Sequence, residues 1–375
     1  MIDLKMNNSY FKDFPQDADP VEIGKRIVEQ FLSVEPESYA PEGYDGGDVC
    51  GGGTFVMYAV VSLWLNALQF ARKINDKDLS DRLIAHFEPF FGEKKGKCSR
   101  DNHVDFSVFG SIPLEIFIQN GDQRAREMGL RYADHQWEAP DPDNLGDTGN
   151  ADYATQLQYL QDGFSPQSRF WIEDMYMMTV LQTQAFRATD DVRYLERTAR
   201  QMDCYLERMQ LPDGMFHHSS IAPFHWGRGN GWVAGGMPML LKHLPESNPY
   251  FGRILKSYRL MMDSVLAYQH ESGLWGQLVD DADAWDESSC SGMFTSSLVD
   301  GVNNGWLDAN TFGPAAMKAW TALCRKMDKF GNIADVGAGT NCKNDRQFYL
   351  DRPRINGAPH GQAAMLWTVN SLLDA

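Results

Sequence analysis

Two stretches of this chain, Phe55 to Leu68 and Met175 to Phe186, are apolar on nearly every face when set on a helix. A helix with no polar face must be enclosed on all sides, whereas one with a charged face, such as Val192 to Arg208, can border water. Both kinds recur along the chain, and an inner ring inside an outer one is the economical way to pack them. Apolar periodicity is helical throughout, and the Val/Ile/Thr alternation of strands is short and rare. The spacing predicts helices near 20 to 34, 54 to 73, 77 to 90, 106 to 120, 122 to 137, 172 to 188, 190 to 209, 230 to 243, 248 to 270, 291 to 303, 312 to 327 and 361 to 374.

A recurrent unit joins them. It stands at Phe70-Ala-Arg-Lys-Ile-Asn-Asp-Lys-Asp-Leu79, at Phe117-Ile-Gln-Asn-Gly-Asp-Gln-Arg-Ala-Arg126 and at Phe186-Arg-Ala-Thr-Asp-Asp-Val-Arg-Tyr-Leu195. In each, a helix ends, a turn of Asn, Gly and Asp follows, and an acidic residue opens the next helix. Twelve such helices make six hairpins, so the expected fold is an all-α (α/α)6 barrel, a single catalytic domain over residues 1–375. An open α-solenoid would show more regular repeats and atypical caps. Long Gly/Pro/Asp-rich segments lie at 36 to 53, 91 to 105, 138 to 170, 211 to 229, 271 to 290 and 328 to 360. If helices alternate in direction these loops gather on one rim, where a site is expected.

Composition narrows the partners. With 34 basic against 51 acidic residues the net charge is −17, which argues against nucleic acid or an anionic membrane held by bulk charge. The longest apolar stretch, Phe55 to Ala71, is interrupted by Ser62, Asn66 and Gln69 and reads as a buried helix, not a membrane span. The N-terminal residues lack a basic-then-apolar signal pattern, so the expected compartment is cytoplasmic, or periplasmic if a leader has been removed. Six widely spaced cysteines form no CxxC and no zinc-type cluster.

Five polar clusters fall at the starts of the helices expected to be inner, where random caps would divide between both rings. Glu173 and Asp174 stand side by side in the first turn of an apolar helix. Acids favoured by the helix dipole are the plain reading, and a proton donor raised by burial and mutual repulsion is the other. His103 and Asp105 precede another inner helix, as a loop histidine and an N-cap or as site residues; as a metal pair they lack a third ligand at useful spacing. In His225-Trp-Gly-Arg-Gly-Asn-Gly-Trp232, alternate glycines permit close approach of backbone to a ligand. There Arg228 is suited to a carboxylate, and Trp226 and Trp232 to a sugar face; the bland alternative is a tight turn with Arg228 on a backbone carbonyl. Asp286 to Phe294 and His360-Gly-Gln362 complete the set, and no Gly-x-Ser-x-Gly nucleophile motif is present.

Together, Asn102-His-Val-Asp-Phe-Ser-Val-Phe-Gly110, Arg169-Phe-Trp-Ile-Glu-Asp-Met-Tyr-Met177, Trp226-Gly-Arg-Gly-Asn-Gly-Trp232, Glu287-Ser-Ser-Cys-Ser-Gly-Met-Phe294 and His360-Gly-Gln362 resemble the unsaturated rhamnogalacturonyl hydrolases of glycoside hydrolase family 105. That family is related to the unsaturated glucuronyl hydrolases of family 88. The resemblance runs from about Gly43 to the C-terminus with the motifs in order. It implies an (α/α)6 barrel that removes a 4,5-unsaturated uronic acid from the non-reducing end of lyase-generated oligosaccharides. An acid protonates C4, its conjugate base directs water to C5, and no metal, nucleotide or other cofactor takes part.

By the same resemblance the family's catalytic Asp falls on Glu173, one methylene longer, with Asp174 adjacent, so either is the general acid/base, and Asp105 is its partner. Substrate binding is assigned to Tyr44, His103, Trp171, His218, Trp226, Arg228, Trp232 and His360. The expected partner is an oligosaccharide with a terminal uronate, bound by a monomer or weak homodimer. An exo-uronidase acting on saturated glucuronic acid and a non-catalytic carbohydrate-binding helical protein are the alternatives.

Overall fold

The computed structural model describes residues 10–39, 54–146 and 149–374. In chain order the helices are α1 (Pro20–Leu32), α2 (Tyr58–Lys73), α3 (Lys77–Phe87), α4 (Val104–Ser107), α5 (Ser111–Asn120), α6 (Gln123–His135), α7 (Tyr153–Gln161) and α8 (Asp174–Thr189). There follow α9 (Arg193–Met209), α10 (Gly227–Leu241), α11 (Phe251–Ala267), α12 (Ser288–Asn303), α13 (Ala309–Cys324), α14 (Arg346–Leu350) and α15 (Pro359–Leu372). Helix α2 packs on α5, α5 on α8, α8 on α10, α10 on α12, α12 on α15, and α15 back on α2, which closes a ring of six. Outside it, α3, α6, α9, α11 and α13 each pack on the inner helix before them, and α1 lies against α15 and α2, completing the sixth pair from the two ends of the chain.

The division follows the sequence pattern. Every residue of α15 is buried, as an enclosed helix requires, whereas α9 buries a single stripe that includes Leu195, Ala199, Met202 and Leu206. Neighbouring inner helices meet closely: a Cβ on Gly292 of α12 would stand 2.8 Å from the Ala364 Cβ of α15. The acidic turns act as N-caps. Asp76, Asp122 and Asp308 accept from the backbone N–H of Leu79, Arg124 and Thr311 at the starts of α3, α6 and α13, each worth about 1 kcal/mol.

The twelve predicted helices are present, with ends shifted by a few residues. The one predicted over 106 to 120 is divided into α4, a 3-10 turn at Val108–Gly110, and α5. Inside the segments read as loops stand α7, α14 and an antiparallel pair of two-residue strands, β1 (Val336–Gly337) and β2 (Arg354–Ile355). These elements are too short for their period to show among Gly, Pro and Asp. Among the described residues no helix is long and apolar enough to cross a membrane. Tyr44 lies outside the described residues.

Candidate active site

The six inner helices present their N-terminal ends at one rim, so their free N–H groups and first-turn side chains meet there. Tyr58 opens α2, His103 and Asp105 stand at α4, Glu173 immediately precedes α8, Trp226 and Arg228 open α10, Glu287 caps α12 and His360 opens α15. Tyr58 and His360 meet at 3.0 Å between the hydroxyl and Nε2, and the Arg228 guanidinium lies 3.6 Å from Glu287.

Arg169 organises one side of this rim. Its buried guanidinium donates through Nη1 and Nη2 to both oxygens of Asp105, each at 2.8 Å, and through Nε and Nη2 to Oδ1 of Asp174 at 2.9 and 2.7 Å. Oδ2 of Asp174 takes the Arg169 backbone N–H at 2.8 Å and the Tyr205 hydroxyl at 2.7 Å. Asp174 is 0% exposed and both of its oxygens are doubly engaged. Burial pushes its carboxyl above the usual range while the Arg169 charge pulls it down. Phe170, between these groups, has a left-handed φ of 57°. It is held there by stacking on Tyr205 at 4.7 Å and by its own N–H on the Tyr205 hydroxyl at 3.2 Å.

Glu173 is placed differently. One carboxylate oxygen, Oε1, lies 3.2 Å from Nε2 of His218, and the other, Oε2, is buried with no hydrogen-bond partner among the described residues. Nδ1 of His218 meets the Tyr349 hydroxyl at 2.7 Å, and that hydroxyl accepts from the Lys343 backbone N–H at 3.4 Å. The Tyr349 proton is thereby free to donate to Nδ1, which leaves the His218 proton on Nε2, pointing at Glu173. Trp226 packs against His218 with ring centres 4.4 Å apart. Cys342 is close enough for burial and the Glu173 charge to push its thiol up to about 12, so it stays protonated.

The two tryptophans of the glycine-rich motif are enclosed, not open faces. Trp232 is packed against Tyr176, Tyr58 and Trp367, and Trp226 lies beneath His218 and beside Arg228. Arg228 is fully buried and donates to the carbonyls of Gly337 and Ala338 at 2.8 and 2.7 Å, the backbone-carbonyl arrangement weighed as the alternative. Its place is explained by the β1 turn, whose carbonyls need a donor that the short strand cannot supply. Nε of Arg228, Nε1 of Trp226 and of Trp232, and both polar atoms of the Gln277 side chain nonetheless have no partner among the described residues. Unpartnered buried polar atoms are costly, and a polar ligand is one way of satisfying such atoms.

His103, not Asp105, is the cap of α4: its Nδ1 accepts the Asp105 backbone N–H at 3.2 Å. Asp105 sits in the first turn with its side chain partly open. Burial, with the Arg228 charge second, holds the His360 imidazole well below its ordinary value. Trp171 is half-buried, with the Arg169 guanidinium over its ring at 4.7 Å. Arg169, Tyr349 and Gln277 were missed as site residues. Arg169 stood inside a quoted motif and could have been found as a lone cation beside two acids, whereas Tyr349 and Gln277 carry no local signal. Among the described residues no group of three metal-ligand side chains is present.

The closed double ring of helices with a carboxylate-bearing rim places the chain in the class of helical-barrel glycoside hydrolases. The model of Glycosyl Hydrolase Family 88 matches residues 58–374, and the chain belongs to that family. Among curated relatives, an unsaturated 3S-rhamnoglycuronyl hydrolase of Alteromonas sp. (strain LOR) is 27% identical over 202 residues, 51% of this chain and 48% of that protein. An unsaturated rhamnogalacturonyl hydrolase of Bacillus subtilis is 26% identical over 203 residues, 52% of this chain and 57% of that protein. The chain thus matches about half the length of each. A solved structure from Salmonella enterica, described as a possible member of the GH105 family, superposes with a TM-score of 0.78 over 96% of this chain and 95% of that one. At 16% identity this likeness shows the shared fold.

Proposed function

We propose that this chain is an exo-acting hydrolase that removes a 4,5-unsaturated uronic acid from the non-reducing end of oligosaccharides, with Glu173 as general acid/base. The observation that carries the assignment is the contrast within one carboxylate pair: Glu173 keeps a buried oxygen without a partner among the described residues, while Asp174 has both oxygens engaged. The relatives matched over about half their length, named as unsaturated rhamnoglycuronyl and rhamnogalacturonyl hydrolases, support the substrate class.

The His218 tautomer sets where the proton sits. With Nε2–H directed at Oε1, a protonated Glu173 carries its proton on Oε2, the atom left free for substrate. Transfer of that proton to C4 of the unsaturated uronate leaves an oxocarbenium-like centre at C5. Oε2, now anionic, then takes a proton from water as the water oxygen bonds to C5, and the hemiketal formed rearranges and releases the sugar. Asp105, fixed by Arg169 and partly open, accepts a substrate hydroxyl. Trp226 and Arg228, both fully buried, back the His218 ring and hold the β1 turn at the edge of the site.

Incubation with lyase-generated pectic, ulvan-type and glycosaminoglycan oligosaccharides tests the reading. The ultraviolet absorbance of the unsaturated uronate is expected to disappear on at least one of them. Active, folded protein that leaves the absorbance unchanged on all three, or that releases saturated glucuronic acid instead, overturns it.

A further inference from the structure

The barrel has a second opening. At the rim opposite Glu173, the C-terminal ends of α2, α8, α10, α12 and α15 surround a cavity of about 290 Å³, near the lower end of the roughly 300–1,000 Å³ range of small-molecule sites. Trp367 and Met239 contribute apolar wall. Thr183 and Asn370, both buried, also line it, and Oγ1 of Thr183 and Oδ1 of Asn370 have no hydrogen-bond partner among the described residues.

Four cations stand around this opening. Arg187 donates to the fully buried Glu115 at 2.7 Å, Lys242 to Asp300 at 2.7 Å, and Lys73 pairs with Asp374. Arg72 approaches Glu115 only to 3.7 Å and makes no hydrogen bond with its side chain among the described residues. Cations at helix C-termini offset the helix dipoles, which accounts for their presence but not for two buried polar atoms, on residues lining the cavity, that have no partner among the described residues. Asp300 and Asp374 line the cavity beside these cations, and burial first, then the Arg187 and Lys242 charges, pushes the neighbouring His243 imidazole down to about 4.

We propose that this cavity is a second ligand site, separate from the Glu173 rim, for a monosaccharide-sized polyhydroxy carboxylate, a sugar acid. The donor and acceptor inventory selects that class. Asn370 Oδ1 can only accept, so the ligand must donate there, as a hydroxyl does and a bare anion such as sulfate does not. Arg72 can only donate, so the ligand must also accept strongly, as a carboxylate does. Thr183 Oγ1 serves a second hydroxyl, and the C–H face of a sugar ring lies against Trp367 and Met239. The assignment does not depend on the hydration chemistry.

Calorimetry on the full chain with D-glucuronate as probe, and with D-glucose and sulfate as controls, tests it. Glucuronate is expected to bind at millimolar concentration and to keep that affinity in Glu173→Gln. Thr183→Val, which removes only an unpartnered hydroxyl, and Arg72→Met are each expected to weaken binding about tenfold while leaving hydrolytic activity intact. The two controls are expected to bind at least about tenfold more weakly than glucuronate. No glucuronate binding, an isotherm unchanged in both Thr183→Val and Arg72→Met, or sulfate binding as tightly as glucuronate overturns the proposal. Binding lost only in Glu173→Gln does so too, since it returns the probe to the other rim.

Discussion

The two rims are made from opposite ends of the same helices, and they handle charge in opposite ways. At the N-terminal rim a single buried guanidinium, Arg169, holds two carboxylates, while a third, Glu173, keeps a buried oxygen with no partner among the described residues. At the C-terminal rim Arg187 and Lys242 each have a close carboxylate partner and the hairpin turns are short. The difference follows from connectivity. Long loops reach the N-terminal rim and can supply residues such as Tyr349 and Gln277, whereas the opposite rim has little beyond the helices' own last turns. Chemistry therefore has more residue types to draw on at the first rim, and the second is confined to what helix ends can carry.

The sharpest way to break this contrast is to alter the adjacent acids separately. Glu173→Gln is expected to lower turnover by about 100- to 10,000-fold, the range of a lost general acid/base, with an unchanged urea midpoint. Equal activity in this variant would move the proton donor elsewhere. Asp174→Asn and Arg169→Met are expected to act on the fold instead. Arg169→Met strands Asp105 and the buried Asp174 without their cation, at a cost of about 3–5 kcal/mol read from equilibrium unfolding, whereas Asp174→Asn leaves Arg169 paired with Asp105 and costs about 1–3 kcal/mol through weakened buried hydrogen bonds. A stable Asp174→Asn protein that had lost only turnover would reverse the roles given to the pair.

Histidines on both rims offer a comparison through pH. His360 at the N-terminal rim and His243 at the other are both held below the ordinary value of 6.5, His243 to about 4, by burial first and nearby cations second. A histidine depressed in the folded state is neutral there while the unfolded chain takes up a proton, so stability rises with pH between the two values. It is lost as pH falls from 6.5 towards 4, with a slope of up to about 1.4 kcal/mol per pH unit for each histidine. His243→Asn is expected to flatten its share of that slope in denaturant midpoints measured across the window, without altering hydrolysis at neutral pH. An unflattened slope would mean that His243 already charges in the folded protein.

Much of this architecture was legible before any coordinates. Periodicity separated enclosed helices from bordered ones, and a helix apolar on all sides has few places to go, so ring membership followed from composition alone. The clusters around Asp105, Glu173, Arg228, Glu287 and His360 were found because each sits within a few residues of a helix start, where local signals are strong. What stayed hidden depended on distance along the chain. Nothing near residue 349 announces that its hydroxyl meets a histidine 131 positions earlier. Trp232 looked like a sugar platform because a tryptophan beside glycines reads the same whether it faces a cleft or the barrel interior, and only the packing of Tyr58, Tyr176 and Trp367 around it decides.

The smallest expected effect tests that hidden contact. Tyr349→Phe keeps the ring that packs on Phe224 and His218 and removes only the hydroxyl. Without a donor on Nδ1, His218 is free to adopt either tautomer, and in one of them Nε2 turns a lone pair towards Oε1 of Glu173. Loss of a single hydrogen bond, about 1 kcal/mol, corresponds to roughly a fivefold fall in kcat/KM. Because the carboxylate is disturbed and substrate contacts are not, the fall is expected in kcat with KM nearly constant, together with a displaced alkaline limb of the pH–rate profile, the limb set by the need for a protonated Glu173. A fall confined to KM would place Tyr349 against the substrate instead, and an unchanged profile would mean that His218 needs no help in pointing its proton at Glu173.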